Sequence, residues 1–200
     1  CIRDSSGIAE QHAQKLAKEQ GKIYVSPYND PQIIAGQGTL AIELLDQLPR
    51  LDVVYVSIGG GGLISGIGSV LKAFSPKTRV VGVSAKNSAE LAASIRAGKM
   101  VKVDHHETLA DGCAGGVDSD TITLVLGSEV IDDLIDCSEQ QIKSGLQQIA
   151  WSEKMLVEGS AGLAYAAWQE DAQKNKNKIS AVVLCGANFD KETLSPIVNS

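Results

Sequence analysis

The chain has 200 residues, with 18 Lys and Arg against 24 Asp and Glu, a formal net charge of −6. That balance argues against nucleic acid or an anionic membrane surface as a partner, and no apolar run reaches the roughly 18 residues of a membrane helix. Hydrophobic residues make up 44% of the chain, enough for a core, and the length suits one domain or one domain plus a fragment of another.

The pattern alternates between helix and strand. Residues 8–20 form an Ala-rich polar helix that stops at Gly21, and 23–26 read as a short strand. Pro27, Asn29, Asp30 and Pro31 make a loop, and 33–48 form a helix closed by Pro49. Residues 53–58 are a continuous β-branched run, as in a buried parallel strand. A four-glycine run follows, then a helix over 63–74, a buried strand over 79–84 and a helix over 88–97. Residues 98–118 read as irregular and 130–136 as a strand. Ser138 and Gln141 form a capping box for a helix reaching about 152. Residues 161–173 form another helix, 174–178 a charged loop, and 179–184 a last strand ending in Cys185-Gly186-Ala187-Asn188. This order predicts an α/β fold, a mostly parallel twisted sheet with helices on both faces.

The four cysteines, Cys1, Cys113, Cys137 and Cys185, show no CxxC spacing. They indicate neither zinc nor a redox pair, and scattered thiols fit a reducing cytoplasm. The chain opens on Cys1, without an initiator Met or a signal peptide, and reads as a piece of a longer protein.

The strongest local signal is the strand Val53-Val54-Tyr55-Val56-Ser57-Ile58 running into Gly59-Gly60-Gly61-Gly62-Leu63 and a helix. Glycines bend tightly and expose amides, and a helix N-terminus adds partial positive charge, so the unit suits a phosphate. Close strand–helix packing would require one or two glycines; four favour the cradle. The Walker pattern is absent, and Ile64 and Ser65 stand where GxGxxG would need its last glycine. A small phosphomonoester fits better than a nucleotide.

Ala35-Gly36-Gln37-Gly38-Thr39, Gly59 to Leu63, Ala110-Asp111-Gly112, Val157-Glu158 and Cys185-Gly186-Ala187-Asn188 occur in the order and spacing of a known family. From about residue 23 to 190 the chain resembles the fold-type II (tryptophan-synthase-β-like) pyridoxal-phosphate enzymes, in particular the threonine/serine dehydratase and serine racemase group. The resemblance implies that Gly59, Gly60, Gly61, Gly62 and Leu63 hold the cofactor phosphate and that Cys185 meets the pyridine nitrogen. Gly112 would line the cofactor, Glu158 would lie near the ring and Asn188 would close the CGAN motif. Without its flanking Gly186-Ala187-Asn188, Cys185 reads rather as a small core cysteine, and on the residues alone Glu158 reads rather as a solvated helix residue.

The resemblance also carries departures. Serine-racemase-like members use a Glu after the second of these strands as a divalent-cation ligand. This chain has Ser84 there, leaving Ser88, through its carbonyl, and Glu90 as the remaining candidates. The Schiff-base lysine of the family lies N-terminal to the matching segment, and Lys72, Lys86, Lys99, Lys102 and Lys191 fall in no corresponding motif. The implied organisation is a remnant of a smaller domain over 1–22 and a large cofactor-binding domain over 23–200, incomplete at the N-terminus and dimeric when whole. The implied function is dehydration and deamination of threonine or serine to a 2-oxo acid and ammonia. Racemisation on the same scaffold, or a non-catalytic phosphate-ligand-binding fragment, are the alternatives. His105 and His106 are adjacent and read as loop residues, and Trp151 and Trp168 as core or interface anchors.

Overall fold

A computed structural model describes residues 6–199. Cys1 lies outside the described residues. Four parallel strands, β1 (Val53–Ser57), β2 (Arg79–Ala85), β3 (Asp133–Cys137) and β4 (Ser180–Val182), form a sheet in the order β3-β2-β1-β4. The expected parallel α/β sheet is present.

The β-branched run of β1 is buried along its whole length because both faces are covered. Side chains alternate across the sheet. Val53 and Tyr55 point into a core built with α6 (Glu139–Gln148), α7 (Gly159–Glu170) and α8 (Lys191–Val198). Val54 and Val56 join a second core with α2 (Pro31–Gln47) and α3 (Gly62–Phe74). Each fully buried valine or isoleucine contributes about 1.5–3 kcal/mol relative to exposure, so the central strands fix the sheet and the edges follow. Helices α2 and α3 cross closely through glycine. A Cβ on Gly38 would stand 3.1 Å from the Gly66 carbonyl, and one on Gly66 would stand 2.2 Å from the Ile34 carbonyl.

The termini of the helices follow local chemistry. Asp30 caps α2 by accepting from the amides of Gln32 and Ile33, with Pro31 at the first position. The helix therefore starts two residues earlier than the apolar pattern suggests. The Ser138–Gln141 capping box opens α6 as expected. The helix gives way to a π-turn over Ile149–Glu153 rather than continuing as α-helix to 152.

Four further expectations differ from the structure, in whole or in part. Residues 23–26 form no strand: Ile23 is 91% exposed, and no neighbouring strand among the described residues offers them hydrogen bonds. Thr123–Val130 is a helix, α5, although β-branched residues open it, and the strand begins only at Asp133. Packing overrides propensity there, since Gly127 lies against Ile95 and Val130 fills the space over Gly68 of α3. The last strand is paired only over Ser180–Val182, and α8 follows it without a sequence signal. Trp151 is 60% exposed and donates from Nε1 to the Val198 carbonyl at 2.9 Å, so it is no core residue. Trp168 is partly buried against the core beside Tyr165. α1 (Ser6–Glu19) and α4 (Glu90–Ala97) complete the helices.

Candidate functional site

In a parallel α/β sheet the carboxyl ends of the strands open onto a crevice. Here β1 and β4 are neighbours, and their carboxyl ends lead into Gly59–Gly61 and residues 183–186. Between them lies a cleft of about 970 Å³, at the upper end of the size of small-ligand sites. Its walls include Gly59, Gly60, Gly61, Gly62, Leu63, Gly112, Glu158 and Cys185. Eight of the nine residues implied as cofactor contacts thus share one cavity.

The glycine loop is shaped by its neighbours. Gly61 sits at φ +86° and precedes the first turn of α3, and a Cβ there would stand 2.3 Å from Leu91 Cδ2. A Cβ on Gly60 would meet the Tyr28 ring at 2.3 Å, and one on Gly59 would stand 3.0 Å from Cys113 Cα. Packing therefore accounts for the absence of side chains, which the composition of the run alone does not reveal. The loop carbonyl of Gly60 accepts from Thr123 Oγ1 at 2.7 Å. Among the described residues the amides of Gly60, Gly61, Gly62 and Leu63 donate to no other protein group, and the first helical bond runs from Ser65 N to Gly61 O at 3.0 Å. Four free donors at the positive end of a helix suit an anion.

On the facing wall, Glu158 precedes α7. Its carboxylate lies over Gly186, where a Cβ would come within 2.5 Å of it, and it accepts from the Asn188 amide at 2.9 Å. Asn188 itself lines a smaller neighbouring pocket with Glu158 and shapes the cleft through that bond. Cys185 opens to the cleft. Burial by the surrounding walls and then the Glu158 carboxylate push its thiol above the ordinary value, so it is a neutral group. Ser160 Oγ, in the first turn of α7, is buried against the cleft with no hydrogen-bond partner among the described residues. A ligand atom satisfies such a group at little cost.

Ser88 and Glu90 do not line this cavity but stand behind its wall at Gly115 and Gly116. Glu90 is 2% exposed and both its oxygens are already engaged by Lys102, His105 and the Val117 amide. No group of three or more His, Cys, Asp or Glu side chains among the described residues is arranged to hold a metal ion. In this arrangement the Glu90 carboxylate is committed to protein donors rather than to a cation.

Tyr28, Cys113, Thr123 and Ser160 carried no sequence signal. Tyr28 follows a proline in an ordinary loop, yet its ring backs Gly60 and its hydroxyl accepts from the Asp118 amide at 2.9 Å. Burial pushes the Cys113 thiol up to about 12.

A family model described as pyridoxal-phosphate dependent enzyme matches residues 2–186. The chain belongs to the pyridoxal-phosphate-dependent enzyme family. L-threonine ammonia-lyase of Thermotoga maritima is 34% identical over 191 residues, covering 96% of this chain and 47% of that protein. The catabolic L-threonine dehydratase TdcB of Escherichia coli K12 is 35% identical over 185 residues, covering 92% and 56%. Among solved structures of the family, the processed form of threonine deaminase isoform 2 from Solanum lycopersicum superposes with a TM-score of 0.87. It is 28% identical and is matched over 94% of this chain and 55% of that one. Serine racemase from Dictyostelium discoideum gives 0.80 at 29% identity, over 90% and 58%. The chain spans about half the length of the curated relatives it matches. These likenesses match the fold-type II resemblance read from the motifs, and the free amides and cleft volume fit the cofactor the family model names.

Proposed function

We propose that the protein containing this chain is a pyridoxal-phosphate-dependent ammonia-lyase that converts threonine or serine to a 2-oxo acid and ammonia. The observation that carries this reading is the single cleft that brings together four free loop amides, a neutral thiol and a held carboxylate. Pyridoxal phosphate, when bound, supplies the electron sink that makes an α-proton labile. The chain's own residues hold it. The amides of Gly59 to Leu63 receive the phosphate at the start of α3. Cys185 offers the pyridine nitrogen a neutral partner, which keeps that nitrogen from the full positive charge a carboxylate would favour. Gly112 lies beside Glu158 and Ser160, where a Cβ would approach both within 3.2 Å, and leaves that wall flat for a ring. Glu158, fixed by the Asn188 amide, orients polar groups of the ring or substrate.

No lysine lines the cleft among the described residues, so the reading assigns this chain phosphate and ring binding rather than covalent attachment of the cofactor. It also takes residues 1–22 as part of a smaller domain. Helix α1 has no fully buried residue among those described, and its Gln14 reaches Asp118 at 3.4 Å. The three described cysteines, Cys113, Cys137 and Cys185, are free of disulfides, which supports a cytoplasmic setting. A homodimer is the expected assembly.

The test is to purify the full-length protein with pyridoxal phosphate and to measure 2-oxo acid and ammonia from L-threonine and L-serine, with D-serine as a parallel readout. Release of ammonia with a 2-oxo acid supports the lyase. D-serine as the sole product would make it a racemase, and the absence of both would sink the reading.

A further inference from the structure

Glu90 opens α4 with its side chain 1% exposed. Its Oε1 accepts from Lys102 Nζ at 3.2 Å and from the Val117 amide at 3.1 Å. Its Oε2 faces His105 Nε2 at 3.0 Å. The other ring nitrogen, Nδ1, lies 2.8 Å from Ser88 Oγ, which accepts from the Gly115 amide at 3.0 Å. A neutral imidazole allows an arrangement of protons that satisfies the set. Gly115 N–H donates to Ser88, Ser88 O–H to His105 Nδ1, and His105 Nε2–H to Glu90. A buried carboxylate needs such compensation, since an unpaired one costs several kcal/mol. The Glu90 carboxylate is already surrounded by donors, and Ser84, which stands where the resemblance has a cation-binding Glu, brings no carboxylate.

The same bonds hold the cleft. The Gly115 and Val117 amides, on either side of Gly116, are both fixed to this network. Residues 111–116 line the cleft, and Cys113 abuts the loop at Gly59. We propose that Lys102 is the built-in counter-ion of Glu90, taking the place of a divalent cation, and that it positions the 111–117 wall of the cleft without metal. Lys102 reaches the carboxylate from an exposed stem, its side chain 77% accessible, so the charge is protein-borne yet lies at the surface. It is a positioning residue, acting on bound ligand through the wall.

The experiment uses the full-length protein. Thermal unfolding is followed after EDTA treatment and with millimolar Mg²⁺, Ca²⁺ or Mn²⁺, with Mn²⁺ binding read directly by electron paramagnetic resonance. The wild type should show the same Tm in every condition and no bound Mn²⁺. Lys102→Met should lower Tm by about 2–8 °C, and Lys102→Arg should restore most of the loss. Combined with Glu90→Gln, Lys102→Met should cost clearly less than the sum of the two single changes. The wall role rests on the proposed cofactor and has its own readout. Lys102→Met should weaken pyridoxal-phosphate binding by about 2- to 30-fold, with recovery in Lys102→Arg. Stabilisation of the wild type by a divalent cation, or a Lys102→Met protein as stable as wild type, would overturn the counter-ion. A lowered Tm with unchanged cofactor affinity would overturn the positioning role. A wild type that binds no pyridoxal phosphate would refute the proposed function, and the thermal data would still decide the counter-ion.

Discussion

Gly61→Ala separates two demands on the glycine loop. Gly61 lies at φ +86°, ψ 0°, a left-handed conformation that costs an ordinary residue about 1–2 kcal/mol. A methyl there would also stand 2.3 Å from Leu91 Cδ2, and forcing extra volume into a packed site adds about 1–3 kcal/mol. The sum, about 2–5 kcal/mol, corresponds to a Tm loss of about 4–20 °C for a domain of this size. Urea unfolding of the full-length protein measures it, together with pyridoxal-phosphate affinity. Leu91→Ala removes the clash but leaves the backbone strain, and alone it costs about 2–5 kcal/mol. The Gly61→Ala, Leu91→Ala double variant should therefore fall short of the additive loss by the steric part, about 1–3 kcal/mol. Gly61→Ala within about 0.5 kcal/mol of wild type, or strict additivity with Leu91→Ala, would refute this account of the loop.

Cys185→Ser should keep most lyase activity and Cys185→Asp should lose most of it, measured as ammonia release; equal activity of the Asp variant would remove Cys185 from the pyridine nitrogen. Gly186→Ala should displace the Glu158 carboxylate, whose carbon would lie 2.5 Å from the new methyl, and weaken cofactor binding by about 10-fold or more, read by cofactor absorbance. Tyr55 is fully buried and its hydroxyl meets Asp171, Arg79 and Asn175, so Tyr55→Phe should cost about 1–3 kcal/mol in urea unfolding. Burial alone would raise the Asp171 carboxyl, but hydrogen bonds from Lys174, Arg79 and Tyr55 outweigh it and hold its pKa below the ordinary value. Its stabilisation is therefore present above the ordinary Asp pKa of about 3.9 and lost as pH falls through the lower folded value, and Asp171→Asn should flatten that acid limb.

The parts of the fold that were legible in the sequence are those where one local rule decides. The β-branched run Val53–Ser57 reads as a strand covered on both faces, and Ser138 with Gln141 as a helix start. Where structure depends on distant partners, local pattern misled. Residues 130–136 read as a strand, but Val130 packs over Gly68 as the last residue of the helix Thr123–Val130, and the strand starts only at Asp133. Ile23 and Val25 alternate as in a strand, yet no strand among the described residues reaches them. The candidate site divides the same way. Its glycines and the 185–188 motif are contiguous in sequence and so could be read. Tyr28, Cys113 and Ser160 reach the cleft from three separate segments, and each residue type is common in unremarkable loops and helix starts.

The loop also shows why packing and ligand binding are not rival explanations of a glycine run. A Cβ and the flanking amides leave the backbone in different directions. Tyr28, Cys113 and Leu91 occupy the Cβ directions of Gly60, Gly59 and Gly61, which presses that side of the loop into protein. A loop held there has its remaining amides turned away from protein acceptors, and none of those from Gly60 to Leu63 finds one. Such donors are costly to bury without a partner, so the arrangement persists only beside water or an anion. Close packing on one side is thus what sets the donors on the other. It follows that enlarging Tyr28's neighbour at Gly60 should impair fold and phosphate binding together, whereas removing the ring by Tyr28→Ala should loosen the loop and weaken phosphate binding even though no amide has been changed.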